Sequence, residues 1–166
     1  MEKEIILHTH QIANKLNRMA YQIWELNHDI VHLEIIGIQD GGVVVAQNLI
    51  KIIEKISPIK CTLSAININK KQPSSATTTW NGKHSLDNKH VVIIDDVANS
   101  GKTLFYALQP ILQFSPEKIQ LAVLVEREHK NFPIIPTVVG HKIATTLQDM
   151  IIVNYEKQKI ISAHLE

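Results

Sequence analysis

The chain has 166 residues, of which 45% are hydrophobic and 20% are charged, and its formal net charge is +1. These values are typical of one globular domain with a buried core, and the apolar runs are too short to span a membrane. A net charge near zero gives no global attraction to nucleic acid, so the composition does not favour RNA binding.

The cysteine count, the N-terminal residues and the histidine spacing bear on disulfides, secretion and zinc binding. The single cysteine, Cys61, excludes an internal disulfide and is typical of a reducing compartment. Residues 1–4 lack the layout of a signal peptide, which predicts a soluble cytoplasmic protein. No pair of the nine histidines has the HExxH spacing of a zinc site, and we interpret them as scattered surface residues.

The first part of the chain predicts an extended segment, a helix and a strand. Residues 5–7 are apolar, and Thr9 is the predicted N-cap of a helix that ends near Asn27. Apolar residues at helical spacing give this helix one buried face: Ile12, Leu16, Met19, Ala20, Ile23 and Leu26. Residues 33–38 then predict a strand.

Residues 39–42, Gln-Asp-Gly-Gly, connect this strand to a helix predicted from about Val43 to Ile56. Two adjacent glycines permit backbone conformations closed to other residues and let an anion approach the main chain. A plain strand-to-helix turn has the same pattern, so the glycine pair alone leaves both interpretations open.

Residues 61–68 predict a third strand, and the polar stretch 69–88 predicts a long loop or an exposed hairpin. Loops of this length without structure of their own are often lids or disordered segments. Lys70 and Lys71 could reach a bound anion, or both could be solvated surface lysines.

The most informative stretch is residues 90–104, HVVIIDDVANSGKTL. Its β-branched residues predict a strand buried on both faces, which ends in Asp95 and Asp96. A turn of small residues follows, and then a helix from about Lys102 to Phe114. A plain buried strand that ends in solvated acids and a helix cap is the alternative interpretation.

This stretch predicts a sugar-phosphate site. The amides of the small-residue turn can bind phosphate, and the two carboxylates can accept hydrogen bonds from vicinal hydroxyls. A nucleotide-binding Walker A motif is excluded, because it requires a glycine where the chain has Asp96.

The last part of the chain predicts mainly strands. Residues 119–125 predict a buried strand, residues 138–139 a short strand before a turn at 140–142, and residues 150–153 another strand before a tail ending near 160–161. Because strands alternate with helices over the first two-thirds, we predict a single α/β domain over residues 1–166. Its sheet should be doubly wound and mostly parallel.

The central stretch resembles the phosphoribosyl diphosphate (PRPP) signature of type I phosphoribosyltransferases. Nearly the whole chain resembles the PyrR family, bacterial proteins that regulate pyrimidine genes and have uracil phosphoribosyltransferase activity. The resemblance outside the signature is carried by Ile12, Arg18, Ala20, residues 36–38, residues 119–125, Arg127, His129, Pro133, Ile134, Val139 and Gly140.

The resemblance implies a role for each predicted site residue. Asp95 and Asp96 would be catalytic and would hold the ribose hydroxyls. The other implied sites are a 5-phosphate site (Ala98, Asn99, Ser100, Gly101, Lys102, Thr103), a diphosphate site (Gln39, Asp40, Gly41, Gly42) and a base site (Val138, Val139, Ile143). It also implies a mobile loop at about 69–88, and a hood formed by about 136–150 with the N-terminal segment.

The implied reaction transfers phosphoribosyl from PRPP to a nucleobase, most simply uracil, and releases diphosphate. The implied partners are PRPP with a nucleobase or nucleoside monophosphate, and a second copy of the chain in a dimer. The implied cofactor is Mg²⁺ carried by PRPP, with no direct protein ligand assigned and Asp95 and Asp96 acting through water.

The chain departs from the family in three places. The family's diphosphate turn reads Thr-Arg-Gly, whereas this chain has Asp40-Gly41-Gly42, which should weaken PRPP binding. The loop is shorter and lacks an arginine-acid-acid run. Asn99 stands where purine-specific relatives have an aspartate, which argues against a purine substrate because an amide cannot act as a general base. A non-catalytic PRPP- or nucleotide-sensing regulator of pyrimidine metabolism, which could also bind RNA, is therefore the alternative function.

Overall fold

The structure, a computed structural model, describes residues 4–73, 77–146 and 148–166. The elements in this part of the chain are β1 (Glu4–His8), α1 (Thr9–Leu26), β2 (His32–Ile38), α2 (Gly41–Ile56), β3 (Lys60–Asn67), β4 (Thr79–Trp80), β5 (His90–Ala98), α3 (Lys102–Ala107), β6 (Lys118–Arg127), β7 (Val138–Ile143), β8 (Ile151–Glu156) and β9 (Lys159–Leu165). None of the helices in these three ranges is long and apolar enough to cross a bilayer.

Six strands form the main sheet in the order β4-β3-β2-β5-β6-β7. Every neighbouring pair is parallel except β3 and the two-residue β4. The chain winds outward in opposite directions from β2 and from β5, so the strand order reverses between these two strands. The doubly wound α/β prediction is confirmed, and such sheets bind ligands at the carboxyl ends of the strands beside this reversal.

Different layers cover the two faces of the main sheet. Helices α1 and α2 pack on one face, and α3 with its following turns packs on the other. The predicted apolar face of α1 is confirmed, because its residues are buried except for the partly buried Leu26. Residues 91–94 lie between the two layers and are fully buried, which explains their continuous apolar run.

A second sheet of three antiparallel strands, in the order β1-β9-β8, lies outside the main sheet. The predicted tail after residue 153 is therefore mostly strand. Within the predicted hood at 136–150, residues 138–143 form β7 of the main sheet. The N-terminal segment does join the second sheet, as β1.

The turn predicted at residues 140–142 is wrong, because these residues continue β7. Gly140 was taken for a turn residue, but it is needed for close packing. A Cβ there would lie 2.4 Å from the carbonyl oxygen of Leu124 and 3.0 Å from the sulfur of Met19 on α1. A glycine inside a strand often marks such a close approach.

Three helix boundaries also differ from the prediction. Helix α3 ends at Ala107 rather than near Phe114, because Pro110 lacks an N–H and restricts the residue before it. Thr9 is the first helical residue and its hydroxyl donates to the Ile161 carbonyl, whereas His8 is the N-cap. Helix α2 begins at Gly41 rather than near Val43.

Within the predicted loop or hairpin at 69–88, Thr79 and Trp80 form the short strand β4. Strand β4 pairs with β3, and the indole N–H of Trp80 donates to the Ser64 hydroxyl at 2.7 Å. The residues after β4 are fixed to the sheet, since Lys89 and His84 both bond the buried carboxylate of Glu34. Residues 74–76 of the predicted mobile loop lie outside the described residues.

Candidate active site

A cavity of about 330 Å³ lies at the carboxyl end of β5. It is lined by Lys70, Asp95, Asp96, residues 97–104 and residues 150–153. The structure thus brings together the predicted acidic pair and the whole predicted phosphate turn, residues 98–103. Sequence reasoning did not assign Lys70 or residues 150–153 to this cavity.

The acidic pair differs in burial and in hydrogen bonding. Asp95 is 1% exposed, and its Oδ1 accepts from Lys70 Nζ at 3.0 Å and from the Asp96 N–H at 2.9 Å. Its Oδ2 is buried without a partner among the described residues. Asp96 accepts from the Val97 N–H at 2.9 Å and from the Tyr155 hydroxyl, and lies 3.6 Å from Lys70 Nζ.

The same environment separates the acidities of the two carboxyls. Burial, together with the charge of Asp96, raises the pKa of Asp95 well above its usual range. Burial alone would raise the pKa of Asp96, but the Lys70 charge and hydrogen bonds, including one from Tyr155, lower it below its usual value. Asp96 is thus the stronger acid, and Asp95 takes a proton first.

The ammonium of Lys70 is held by both acids. Burial acts to lower its pKa, but the charges of Asp95 and Asp96 raise the pKa above its usual value, so Lys70 stays cationic. Its side chain is 40% exposed.

The predicted diphosphate turn lies against the acidic pair. A Cβ on Gly41 would come within 2.2 Å of Asp96 Oδ2 and 2.3 Å of the Tyr155 hydroxyl, so a larger residue there would have to displace one of these side chains. Gln39 and Asp40 are exposed, and the peptide bond between them is cis. The structure therefore places residues 39–42 beside the acids, although they do not line the main cavity.

Tyr155 is a site residue that sequence reasoning missed. It belongs to β8 of the second sheet, and its hydroxyl donates to Asp96 Oδ2. Burial and the charge of Asp96 raise its pKa, so the hydroxyl keeps its proton. Nothing in the local sequence marks this tyrosine, since it reaches the acids only through the packing of the two sheets.

The phosphate turn is held by backbone contacts. Gly101 has a left-handed φ of 81°, which glycine adopts without strain, and α3 begins at the next residue. The carbonyl of Ser100 accepts from the N–H groups of Asn131 and Phe132 at 3.0 and 3.2 Å. These contacts fix the conformation of the turn that precedes α3.

Asn99 joins this turn to the second sheet. Its side-chain amide donates to the Ile151 carbonyl at 3.3 Å, and its Oδ1 accepts from the Ile151 N–H at 3.2 Å. Both ends of the amide are therefore in use, which requires asparagine and not aspartate at this position.

The predicted base site is not at the cavity. Val138 is 1% exposed, Val139 and Ile143 are partly buried, and all three belong to β7 and pack in the two cores. None of the three lines the main cavity, and their role as a base site stays a prediction.

A second cavity of about 390 Å³ adjoins the first. It is lined by Asn99, Ser100, Arg127, His129, Asn131 and Met150. Arg127 is 7% exposed, and its Nε has no partner among the described residues, although its Nη2 donates to the Asp149 carbonyl. The neighbouring acid Glu126 is already paired with Lys130 and Lys142. The Arg127 guanidinium is thus buried at the second cavity with one N–H unpaired among the described residues.

The acidic pair also fits a magnesium-bearing ligand. Among the residues that the structure describes, no three histidine, cysteine or acidic side chains are grouped to hold a metal ion. The acidic side chains in the described lining of the main cavity are those of Asp95 and Asp96, and Asp95 Oδ2 has no hydrogen-bond partner there. Mg²⁺ prefers such oxygen ligands and commonly takes most of its shell from water and a bound phosphate.

The reversal of strand order, the acidic pair and the phosphate turn together define a type I phosphoribosyltransferase. The family model described as "Phosphoribosyl transferase domain" matches residues 2–156, and the chain belongs to this family. Within the class, its curated relatives are named "Bifunctional protein PyrR", and the chain is a PyrR-like member.

Two of these relatives show how far the similarity extends. The protein of Macrococcus caseolyticus is 32% identical over 160 residues, which cover 92% of each chain. That of Limosilactobacillus fermentum is 33% identical over 152 residues, covering 86% of this chain and 85% of the relative.

Solved structures show the same fold at low sequence identity. The hypoxanthine phosphoribosyltransferase of Trypanosoma cruzi has a TM-score of 0.77 at 17% identity, covering 98% of this chain and 97% of that one. A hypoxanthine-guanine phosphoribosyltransferase (hpt-2) of Bacillus anthracis has a TM-score of 0.72 at 18% identity, covering 86% of this chain and 84% of that one. At these identities the likeness concerns the fold alone.

Proposed function

We propose that the protein transfers the phosphoribosyl group of PRPP to uracil and releases diphosphate. The observation that carries the proposal is the joining of the acidic pair and the phosphate turn in one cavity, beside the glycine turn after β2. Relatives named "Bifunctional protein PyrR" support a pyrimidine acceptor. So does Asn99, an amide at the position where purine-specific relatives have an aspartate that can act as a general base.

The side chains have distinct roles in this reaction. The turn amides of residues 99–103 bind the 5-phosphate, and Asp95 and Asp96 accept hydrogen bonds from the ribose hydroxyls. The bond from C1 to the diphosphate oxygen breaks, and its electron pair leaves with diphosphate. Positive charge develops on the ribose, and the adjacent carboxylates stabilise it. A ring nitrogen of uracil, having released its proton to solvent, forms the new bond to C1.

Magnesium is part of the proposal as a partner of PRPP. Asp95 and Asp96 would hold it through water, and it would neutralise charge on the diphosphate. The carboxylates themselves orient the ribose hydroxyls whether or not they also hold ion-bound water.

The order of the strands indicates where the base binds. In a direct displacement the acceptor approaches C1 from the side opposite the leaving group. The glycine turn for diphosphate follows β2, and β2 and β6 flank β5 on opposite sides. The acceptor therefore belongs over the end of β6, which is where the second cavity lies.

The chemistry of the second cavity suits a dioxo-pyrimidine. The unpaired Nε–H of Arg127 can donate to a ring carbonyl, and the exposed thioether of Met150 offers an apolar face to the base. It differs from the site predicted at Val138, Val139 and Ile143, which line neither of the two cavities.

The proposed function is tested with a panel of bases. Uracil, orotate, hypoxanthine and guanine are each incubated with PRPP and Mg²⁺, and diphosphate release is followed together with chromatography of the nucleotide product. We expect diphosphate and uridine monophosphate (UMP) from uracil only. Diphosphate release with a purine, or no product with any base while PRPP binds, would contradict the proposal.

Arg127→Met tests the acceptor site. Loss of one hydrogen bond to uracil should raise the KM for uracil about tenfold and leave the KM for PRPP within about twofold. Lys142→Met is the matched control, since Lys142 lies on β7 and is paired with Glu126 away from the cavity. Equal KM values for uracil in the wild type and the Arg127 variant would place the base elsewhere.

A non-catalytic sensor is the second candidate function. One observation favours it: the exposed carboxylate of Asp40 stands at the diphosphate turn, where it would repel the leaving group. A sensor would bind PRPP or UMP in calorimetry and give no diphosphate with any base in the panel.

A further inference from the structure

The leaving group of the proposed reaction lacks an evident cation at its turn. Diphosphate leaves with several negative charges, and binding it requires opposite charge as well as amides. The turn at residues 39–42 offers two glycine amides and the carboxylate of Asp40. Basic side chains in the lining of the main cavity are those of Lys70 and Lys102, and Lys102 belongs to the phosphate turn.

Lys70 is placed beside the diphosphate turn by the sheet. It follows β3, which pairs in parallel with β2, and Ile38 lies opposite Ile66. The first residue of the turn continues this contact, since the Gln39 N–H donates to the Ile66 carbonyl at 3.0 Å. The segments after the two strands therefore run side by side towards the same crevice.

The ammonium of Lys70 occupies the acidic pair, where the proposed reaction needs the ribose hydroxyls. It lies 3.0 Å from Asp95 Oδ1 and 3.6 Å from Asp96 Oδ1. Asp96 in turn lies against Gly41 of the diphosphate turn. A short swing of a flexible, 40% exposed side chain would move the charge from the acids to a diphosphate on that turn.

We propose that Lys70 is the diphosphate-binding cation of this chain, and that it neutralises the acidic pair until PRPP displaces it. This inference rests on the proposed function. Ribose hydroxyls replace the ammonium on the acids, and the ammonium then pairs with the diphosphate. With PRPP bound, the Lys70 charge offsets the repulsion between Asp40 and the diphosphate. In the free protein, the same charge pairs with the buried acids, which would otherwise lack a counter-charge.

The test is calorimetry with three probes on two variants. Lys70→Gln and Lys71→Gln are titrated with Mg-PRPP, with inorganic diphosphate plus Mg²⁺, and with UMP. Lys70→Gln should bind PRPP and diphosphate about tenfold more weakly or worse. It should bind UMP as tightly as the wild type or more tightly, since UMP has no diphosphate and no longer competes with the ammonium. Lys71 is exposed on the same loop, and its variant should stay within about twofold for all three probes.

Each outcome separates this inference from the function on which it rests. Wild-type protein that binds neither PRPP nor UMP overturns both. Wild-type protein that binds all three probes, with Lys70→Gln binding diphosphate equally well, overturns only the role of Lys70. Loss of UMP binding in both Lys70→Gln and the charge-retaining Lys70→Arg would make Lys70 a structural residue, which also overturns its role.

Discussion

Asp95→Asn is expected to lower turnover at least about 100-fold and, at the same time, to raise the thermal stability of the protein. Turnover falls because a carboxylate that faces the developing positive charge on ribose becomes a neutral amide. Stability rises because Asp95 is 1% exposed and burial opposes its charged form, a cost that the amide does not carry. Residues that serve activity at the cost of stability are common in active sites.

Asp96→Asn is the matched control for the stability effect. The pKa of Asp96 is lowered in the folded protein, so its charged form stabilises the fold, and the Lys70 ammonium and the Tyr155 hydroxyl both contribute. Its amide variant should lose activity similarly but lose about 1–2 kcal/mol of unfolding free energy. Two isosteric changes at neighbouring positions should thus shift the melting temperature in opposite directions.

The pH dependence of the stability difference between the wild type and Asp95→Asn tests whether burial of the Asp95 charge causes that difference. Because the folded-state pKa of Asp95 lies above its ordinary value of 3.8, the folded state holds more protons than the unfolded state above that pH. Wild-type stability therefore falls relative to the variant as the pH rises from about 4 towards the folded-state pKa. Urea unfolding at several pH values measures this, and a constant difference would show that burial of charge is not the reason.

The acidic pair and the phosphate turn could be predicted from the sequence because they are continuous in the chain. Residues 95–103 carry the strand end, both acids and the turn, and the β-branched run before them marks the strand. The same is true of the glycine turn after β2. In these places local sequence determines both the backbone and the chemistry.

The proposed acceptor site could not be predicted from the sequence because its residues come from separate segments. Asn99, Arg127 and Met150 meet only after β6 and the second sheet are in place. Val138 and Val139 were predicted to form a short strand that ends at a turn beginning with Gly140. Their strand in fact continues, since Gly140 is needed for close packing against Leu124 and Met19.

Lys70 and Tyr155 show the same limit at the acidic pair. A lysine in a polar loop is usually solvated, and nothing near Lys70 in the sequence indicates two acids more than twenty positions away. Tyr155 reaches Asp96 from the second sheet. The chain's departure from the family at Asp40-Gly41-Gly42 is explained by the contacts of Gly41 with Asp96 and Tyr155. Gly41 leaves the space that the Tyr155 hydroxyl fills.

Gly41→Ala is expected to cost about 1–3 kcal/mol of stability and to lower kcat/KM about 100-fold. The new methyl would lie 2.2 Å from Asp96 Oδ2 and 2.3 Å from the Tyr155 hydroxyl, so one of them must move. Alanine in the first turn of α2 would otherwise favour the helix, so any loss of stability measures the collision.

The double variant Gly41→Ala with Tyr155→Phe isolates that collision. Removing the hydroxyl opens a path for the methyl or for the displaced carboxylate, so the double variant should be more stable than the sum of the two single effects. Urea unfolding of the wild type, both single variants and the double variant measures the coupling, and steady-state kinetics on the same four proteins measures activity. Strict additivity, or a Gly41→Ala protein as active as the wild type, would mean that the turn and the acids are not in contact in solution, and the diphosphate site would have to be placed elsewhere.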